Sequence, residues 1–244
     1  MKKIYKLLSH SIRKKIIEES YVQKSAHLGS NLSSLEILIA CFEQNKKEEI
    51  EIILSKGHAA LSYYVILNHY GYLANYKGFT KSKNLWGHIS KIKKNNFLKF
   101  GFGSLGYGLG IGAGLAISKK NKKVACILSD GELNEGSVWE TLMFIKHHNL
   151  KNMIIFIDKN NIQSFGRTKD IINLGNLKKL FSNFELNIFN CDGHDVTRLL
   201  EIFKLKTKKP IMVICNTVKG KGLIRYENKV FSHYKPPLKD DLFK

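Results

Sequence analysis

The sequence lacks the features that mark several classes of protein. Among its 244 residues there is no run of roughly 18 apolar residues, the length that a membrane-spanning helix needs. The basic start breaks into charge before any apolar stretch of signal length, so we expect no secretory signal. Four cysteines lie far apart without a CxxC pair, and we expect them to be buried thiols in a reducing cytoplasm: Cys41, Cys126, Cys191 and Cys215. These absences exclude a disulfide miniprotein and predict a cytoplasmic protein without a membrane partner.

Arginine is scarce in an otherwise basic chain. Lys and Arg number 40 against 20 Asp and Glu, a formal net charge of +20, yet only four of the 40 are arginine. Arginine is the preferred side chain for gripping phosphates and bases, and the lysines are scattered along the whole chain. We therefore interpret the charge as a lysine-rich, solvated surface, and nucleic-acid binding is the weakest of the functional alternatives.

Short apolar runs alternate with helical patterns along the chain. Because the runs are apolar throughout and helices separate them, they predict an α/β fold with a parallel sheet covered by helices on both faces. No linker interrupts the pattern, so we expect residues 1–244 to form a single domain. The predicted strands are 50–54, 124–128, 153–157, 185–189 and 211–215. The predicted helices are 2–24, 33–44, 59–69, 137–149 and 195–207, with a further helix in the part of 101–118 that follows its glycine-dense front.

Polar, glycine-containing segments follow the predicted strands. SKGH, SDGE, DKNN, CDGHD and NTVKGKG each follow one strand. Ligands of parallel α/β sheets bind outside the carboxyl ends of the strands, so these segments predict an active site at one edge. The irregular, lysine-rich stretch 75–101 is too long for an ordinary connection and is expected to be a functional loop.

Two of these segments together predict a site for a hard cation. Ser129-Asp130-Gly131-Glu132 follows one buried strand, and Asn160-Asn161-Ile162 follows the next, 30 residues later. One carboxylate, one amide oxygen and one backbone carbonyl suit Mg²⁺ or Ca²⁺, and so few protein ligands imply that the phosphates of a ligand complete the shell. Gly131 would let the backbone approach those phosphates closely. Either segment alone is more simply explained as a turn after a strand.

Several motifs, in order, resemble the N-terminal, diphosphate-binding part of transketolase, as found in split transketolases made of two chains. SDGELNEGSVWE with DKNNIQ resembles the thiamine diphosphate motif GDG…NN. LSKGHAA, GFGSLGYGLGIGAGLA, CDGHD and NTVKGKG resemble further transketolase segments, from about Lys24 to about His233. The resemblance implies the PP-type thiamine diphosphate-binding fold. It also implies an enzyme that transfers a two-carbon ketol unit from a ketose to an aldose.

The resemblance implies roles for individual residues. Asp130 and Asn160 would ligate Mg²⁺ or Ca²⁺ through side-chain oxygens and Ile162 through its carbonyl, with thiamine diphosphate as the cofactor. Glu135 and Glu140 resemble acidic residues at the interface between the two cofactor-binding domains. The residues implied in cofactor binding are His58, Gly103, Ser104, Leu105, Ser129, Asp130, Gly131, Glu132, Glu135, Asn160 and Ile162.

Four histidines resemble the catalytic histidines of transketolase. In the family such histidines line the channel to the reactive carbon of the cofactor, bind phosphate or substrate hydroxyls and assist proton transfer. An imidazole suits these tasks because its charge changes near neutral pH. They are His27, His58, His88 and His233. His194 and Asp195 in CDGHD are instead expected to brace a loop.

Three positions depart from the family's pattern. Leu28 stands where the family often has the proline of GHPG, which leaves the placement of His27 less constrained. Ser129 replaces the first glycine of GDG, and Tyr107 stands where the family often has Gln. None of these changes removes a metal ligand. We interpret them as signs of an altered substrate rather than of an inactive protein.

The chain is expected to need a partner. A full-length transketolase continues for hundreds of residues after a segment like NTVKGKG, whereas this sequence ends at Lys244. We expect it to lack the pyrimidine-binding domain, the activating glutamate of that domain and the basic residues that hold a sugar phosphate. A C-terminal transketolase subunit would supply these parts in an α2β2 assembly that acts on a sugar or sugar phosphate.

Two alternative functions stay open at this point. One is a component of another thiamine diphosphate enzyme, such as the α-type chain of a 2-oxo acid dehydrogenase or a deoxyxylulose-phosphate synthase. The other is a non-catalytic binding subunit that kept the fold. The four histidines favour a transketolase over the first alternative, and the intact Asp130 and Asn160 argue against the second.

Overall fold

The computed structural model describes residues 2–242, and a five-stranded parallel sheet lies at its centre. Neighbouring strands follow the order β1-β2-β3-β5-β4, and each adjacent pair is parallel. The strands are β1 (Glu51–Leu54), β2 (Val124–Ser129), β3 (Met153–Lys159), β4 (Asn187–Asp192) and β5 (Ile211–Asn216). The predicted α/β fold is confirmed, and each strand overlaps a predicted run.

Helices connect the strands and cover the sheet. They are α1 (Lys2–Gln23), α2 (Leu28–Ser33), α3 (Leu35–Asn45), α4 (Ala60–His69), α5 (Tyr107–Ser118), α6 (Gly136–His147), α7 (Thr168–Ile171), α8 (Leu177–Leu180) and α9 (Val196–Phe203). Helix α5 packs on β1, β2 and α6, and α3 packs against α9. In the part of the chain that is described, no helix is long and apolar enough to cross a membrane.

Burial explains why the strands are so apolar. Every residue of β1 and β2 is buried, whereas β4 at the edge of the sheet has partly and fully exposed residues. The same difference corrects one expectation about the cysteines. Cys41, Cys126 and Cys215 are buried as predicted, but Cys191 is only partly buried because it lies on the edge strand β4.

Several element boundaries differ from the predictions for local reasons. The helix expected behind the glycine-dense front of 101–118 begins at Tyr107, where Gly106 precedes it with a left-handed φ of 80°. The helix predicted over 195–207 ends at Phe203. The short helices α2, α7 and α8 were not predicted, since four to six residues show no helical periodicity.

The predicted functional loop over 75–101 has no regular helix or strand in its middle, yet it is packed against the core. Phe79, Leu85 and Leu98 are buried, and Ile89 forms an isolated antiparallel bridge with Phe102. This packing fixes the segment over the carboxyl end of β1, where Ile89 N donates to the carbonyl of Gly57.

Candidate active site

The polar segments meet at the carboxyl edge of the sheet, as predicted. Register pairs the end of β2 with the end of β3, and the end of β3 with the end of β5. Asp130, Asn160 and Thr217 each follow one of these strands directly. Parallel strands therefore deliver three polar loops to one place.

Asp130 is a buried carboxylate with one oxygen to spare. Its Oδ2 accepts hydrogen bonds from Asn161 N at 2.6 Å and from Thr168 Oγ1 at 3.2 Å. Its Oδ1 accepts none from the described residues. Burial, reinforced by the negative charge of Asp158, raises the pKa of Asp130 to about 6. A nearby cation would relieve both penalties.

The two other predicted cation ligands lie in the next loop. Asn160 is 3% exposed, and its Oδ1 accepts from Ile162 N at 3.1 Å. The Ile162 carbonyl already accepts from Lys219 Nζ at 2.9 Å, and a carbonyl oxygen has a second lone pair for a cation. Among residues 2–242, no three His, Cys, Asp or Glu side chains cluster as a metal site. The donor set is thus one carboxylate with amide and carbonyl oxygens, which fits a hard cation that also binds phosphate.

A fully buried ion pair lies beneath these loops. Lys56 Nζ donates to Asp158 Oδ2, and neither side chain has any exposed surface. Ser33 Oγ also donates to Asp158 Oδ2 at 2.6 Å, and Thr217 Oγ1 donates to Oδ1. Burial alone would raise the pKa of Asp158, but the Lys56 ammonium and these hydroxyl donors hold that pKa below its usual value.

Lys219 connects the two halves of the site. Its Nζ lies 2.9 Å from the Ile162 carbonyl and 3.3 Å from His233 Nδ1. Burial, with the repulsion from Lys56, lowers the pKa of Lys219 to about 8. A buried ammonium whose neighbours are a carbonyl and an imidazole is stabilised by binding an anion, because a buried charge is costly unless it is paired. A diphosphate is such an anion.

The four predicted histidines come together in one cluster around His27. The centre of its ring lies 5.6 Å from that of His58, 5.4 Å from that of His88 and 4.8 Å from that of His233. These residues come from four separate segments of the chain. Their convergence is the arrangement that the resemblance implied, although the structure by itself assigns them no role.

Backbone contacts fix His27 without the proline that the family often has next to it. His27 has a left-handed φ of 66° and caps the start of α2. Its N–H donates to the His233 carbonyl at 2.7 Å, and its carbonyl accepts from Asn31 Nδ2 at 2.9 Å. Gly29 lets α2 approach the 230–233 turn, because a Cβ there would lie 2.2 Å from Ser232 Oγ. These contacts hold His27 in place with a leucine at position 28.

Burial keeps the histidine cluster neutral. Burial and the charges of Lys219 and neighbouring imidazoles lower the pKa of His27 to about 4 and that of His233 to about 3. Burial and the Lys56 charge also lower the pKa of His58 well below its usual value. At neutral pH these rings are therefore available as proton acceptors as well as donors.

This neutrality predicts a pH dependence of stability. The unfolded chain takes up a proton on His27 near pH 6.5, whereas the folded chain takes it up only near pH 4. The free energy of unfolding is therefore expected to fall as the pH is lowered through this window. Urea unfolding over a pH series should show a shallower fall for His27→Gln than for the wild type. His147→Gln, which changes an exposed histidine of α6, serves as the control and should keep the wild-type slope; equal slopes in all three proteins would contradict the prediction.

The remaining predicted cofactor residues fall into two groups. Glu132 is fully buried and accepts from Ser129 N at 2.8 Å, from Ser55 Oγ and from Gly106 N. Burial raises its pKa, and these donors counteract the rise. Glu132 therefore holds three loops together from below. By contrast, the exposed or partly exposed members are Gly103, Ser104, Leu105, Gly131, Glu135 and the interface candidate Glu140.

A cavity of about 430 Å³ lies beside the histidine cluster. His88 and Gly103 both line it, together with Trp86 and the bridged residues Ile89 and Phe102. The volume is within the range of small-molecule sites, roughly 300–1,000 Å³. The structure thus brings a predicted catalytic histidine and a predicted cofactor residue to one concave surface.

The sequence is similar to known proteins along nearly its whole length. Residues 6–244 match the family described as the transketolase thiamine diphosphate-binding domain. The chain is 33% identical to one subunit of the apulose-4-phosphate transketolase of Actinobacillus succinogenes, over 95% of this chain and 91% of that protein. This chain belongs to the transketolase family. Within it, the chain is also 29% identical to a 6-deoxy-6-sulfo-D-fructose transketolase subunit of Clostridium sp., over 91% of this chain and 87% of that protein.

Single-chain transketolases are much longer than this family member. It is 30% identical to human transketolase but covers only 39% of that protein. The solved transketolase of Campylobacter jejuni superposes with a TM-score of 0.87 at 24% identity, over 98% of this chain and 41% of that one. At that identity the likeness shows the fold alone. The chain therefore matches these two transketolase subunits nearly end to end and spans about two fifths of the human and Campylobacter jejuni transketolases.

Three charged residues of this transketolase-family site are not among those that the sequence predicts. Lys56, Asp158 and Lys219 are buried at the centre of the site, whereas the composition predicts a solvated surface for the lysines. The signal that could have found them is position. Each lysine stands beside a glycine in a segment that follows a strand, and Asp158 ends the apolar run of β3.

A buried clamp holds the segment that carries Lys219, and it confirms the bracing role expected of His194. Glu36 Oε2 lies 2.8 Å from His194 Nδ1, and Val218 N donates to His194 Nε2 at 2.9 Å. Because an amide can only donate, Nε2 is unprotonated and Nδ1–H points to Glu36. Arg13 donates to Glu36 Oε1 at 2.8 Å and to the Lys221 carbonyl at 2.7 Å. We call Arg13, Glu36 and His194 the loop clamp.

We expect His194→Ala to loosen the segment from Thr217 to Gly222. The change removes the acceptor of Val218 N–H and leaves Glu36 without one partner, which costs about 1–3 kcal/mol for an unsatisfied buried group. Hydrogen–deuterium exchange should accelerate at residues 217–222. His194→Gln, which can both donate and accept, should restore part of the protection, and the exposed His148→Ala should leave it unchanged. Wild-type exchange in His194→Ala would show that the clamp does not hold the loop.

Proposed function

We propose that this chain is the N-terminal, cofactor-binding subunit of a two-chain transketolase. It would transfer a two-carbon ketol unit from a ketose to an aldose with thiamine diphosphate and a divalent metal. The observation that carries the proposal is that four imidazoles cluster next to the cation-ligand set. Lys219 joins the two, because its Nζ contacts both the Ile162 carbonyl and His233 Nδ1. Membership of the transketolase family supports it, and so does the near end-to-end similarity to subunits of split transketolases.

The residues present fit a divalent cation and a diphosphate. Asp130 would bind the cation through its spare Oδ1, with Asn160 through its amide oxygen and Ile162 through its carbonyl. Lys219 and the backbone at Gly131 would face the phosphates. Mg²⁺ or Ca²⁺ suits this donor set. When bound, thiamine diphosphate supplies the carbon centre on which the ketol unit is carried.

The histidines would transfer protons and bind the sugar. His27, His58 and His233 are neutral near pH 7 because their pKa values are lowered by burial. A neutral ring can accept a proton from a substrate hydroxyl and return it, and a ring NH can orient a sugar oxygen. His88, exposed beside the cavity, would meet the substrate from the side of the 75–101 loop.

A partner chain fits the surface around the site. Several large apolar side chains are exposed there and along neighbouring loops, which is typical of a docking surface. We propose that the C-terminal subunit with the pyrimidine-binding domain covers this surface in an α2β2 assembly, near the acidic Glu135 and Glu140. The exposed side chains are Trp86, Tyr107, Phe165 and Ile224.

The substrate is proposed as a sugar or sugar phosphate. Two relatives that match nearly end to end are named for apulose-4-phosphate and for 6-deoxy-6-sulfo-D-fructose, which are unusual ketoses. The departures at Leu28 and Ser129 support a specialised substrate here as well. We further propose that residues 1–244 act as one domain in the cytoplasm, where free cysteines are ordinarily thiols.

The proposal is tested with the chain encoded beside this one. Both chains should be co-purified and titrated with thiamine diphosphate by calorimetry, with Mg²⁺ and with a chelator. We expect Mg²⁺-dependent binding by the pair, followed by ketol transfer from a ketose to an aldose. Absence of Mg²⁺-dependent binding by the pair would refute the main proposal. Binding without transfer to any sugar tested would favour the non-catalytic alternative.

A further inference from the structure

Cys191 and Cys215 lie side by side on β4 and β5. The register of these parallel strands pairs one cysteine directly with the other. Neighbouring strands are about 4.8 Å apart, and disulfides join Cα atoms that are about 4.4–6.8 Å apart. Directly paired residues point to the same face of a sheet. The backbone therefore already satisfies the distance that a disulfide needs.

The two strands approach closely on the face that carries the thiols. Gly193 is two residues after Cys191, in the turn that directly follows β4. A Cβ at Gly193 would lie 2.9 Å from Cys215 Cβ and 2.4 Å from Thr217 Cγ2. Only glycine fits at such a distance, so β4 is held tightly against β5 next to the cysteines.

The two thiols differ in accessibility and acidity. Cys191 is partly exposed on the edge strand, whereas Cys215 is fully buried. A hydrogen bond with Cys215 lowers the pKa of Cys191, and burial raises the pKa of Cys215 well above its usual value. An accessible, more acidic thiol beside a second thiol is the arrangement typical of oxidation-sensitive pairs.

The other cysteines provide a contrast within the same chain. Cys126 is fully buried in β2, where its register partners are Ile53 and Ile155. Cys41 is also fully buried, on α3. Neither has the combination of exposure and a paired thiol, so oxidation should select Cys191 and Cys215.

We propose that Cys191 and Cys215 are a modification site that forms a reversible disulfide when the chain meets a hydroperoxide. The Cys191 thiolate attacks one peroxide oxygen, the O–O bond breaks, and a sulfenic acid and an alcohol or water are produced. The Cys215 sulfur then attacks the Cys191 sulfur, an S–S bond forms, and water leaves. The two thiols lose two electrons and two protons, which reduce the peroxide. A dithiol reverses the change by exchange.

The position of the pair gives this modification a route to the cofactor site. Cys191 precedes His194 by three residues and Cys215 precedes Val218 by three residues. His194 of the loop clamp accepts the hydrogen bond from Val218 N. A bond between the cysteines therefore joins the two strands that lead to this hydrogen bond, directly before the segment with Lys219. The consequence for the cofactor site at Lys219 rests on the proposed function, whereas the formation of the disulfide does not.

The test uses the full native chain and hydrogen peroxide. After oxidation, free thiols are blocked with N-ethylmaleimide and the chain is digested with trypsin without reductant. We expect residues 180–198 linked to residues 209–219, two hydrogen masses below the sum of the peptides, and separated again by dithiothreitol. Cys191→Ser should abolish the linked peptide, and the matched control Cys126→Ser should keep it.

Three results would overturn the proposal. One is Cys191 recovered as a sulfinic acid with no linkage while the chain keeps its native circular dichroism. Another is a linkage that involves Cys41 or Cys126 instead. The third is a linkage that forms only after the chain is unfolded. The masses of digests from the folded and the unfolded wild-type chain, with the circular dichroism of the folded chain, decide between these outcomes without any measurement of enzymatic activity.

Discussion

Asp130→Ala is expected to abolish Mg²⁺-dependent binding of thiamine diphosphate by the chain and its partner. Asp130 is the only carboxylate in the proposed ligand set, and its Oδ1 is its free position. Loss of residues that merely orient metal ligands costs about 10–100-fold in affinity. Loss of the carboxylate itself should weaken binding by at least about 100-fold. Calorimetric titration at fixed Mg²⁺ measures the effect.

Two further variants separate the metal from the fold. Asp130→Asn keeps the hydrogen bonds from Asn161 N and Thr168 Oγ1 to the side-chain oxygen but removes the charge. It should bind weakly while unfolding at a urea concentration no lower than that of the wild type, because the charge that it removes is disfavoured by burial. Asp240→Ala, which changes an exposed aspartate in the last turn, should bind normally. Unchanged affinity in Asp130→Ala would show that the metal assignment is wrong.

The two halves of the proposed site differ in how far the sequence predicts them. Asp130, Asn160 and the histidines lie in short polar segments, and strand periodicity alone places the first two at one edge of the sheet. That His27 would lie within 6 Å of three other imidazoles is a property of the packing of α2 against the 230–233 turn. No periodicity in the sequence carries that information.

The composition of the chain does not distinguish its buried lysines from its exposed ones. Of the 40 basic residues, four are arginine and 36 are lysine. Composition predicts that every lysine lies on the surface, and this prediction is correct for most of them. Lys56 and Lys219 are exceptions because each has partners contributed by other segments: Asp158 for Lys56, and the Ile162 carbonyl and His233 for Lys219. The position of β5 between β3 and β4 brings Lys219 there, and strand order is not encoded in local patterns.

Lys56→Met is expected to cause the largest loss of stability among the variants proposed for this chain. The variant leaves Asp158 buried without its cationic partner, and breaking a buried pair in this way costs about 3–5 kcal/mol. The hydroxyls of Ser33 and Thr217 stay in place but carry no charge. Urea unfolding followed by circular dichroism measures the loss in the chain without cofactor.

A double variant distinguishes the missing charge from the missing side chain. Lys56→Met with Asp158→Asn removes both charges and keeps an acceptor for one hydroxyl, so it should recover part of the stability that Lys56→Met loses. Arg198→Met serves as the surface comparison, since Arg198 and Glu201 form an exposed pair at 2.6 Å. That change should cost about 1 kcal/mol or less. If the double variant were as unstable as the sum of both single variants, the two charges would not be coupled. Lys56 would then stabilise the fold through the packing of its side chain and not through its charge.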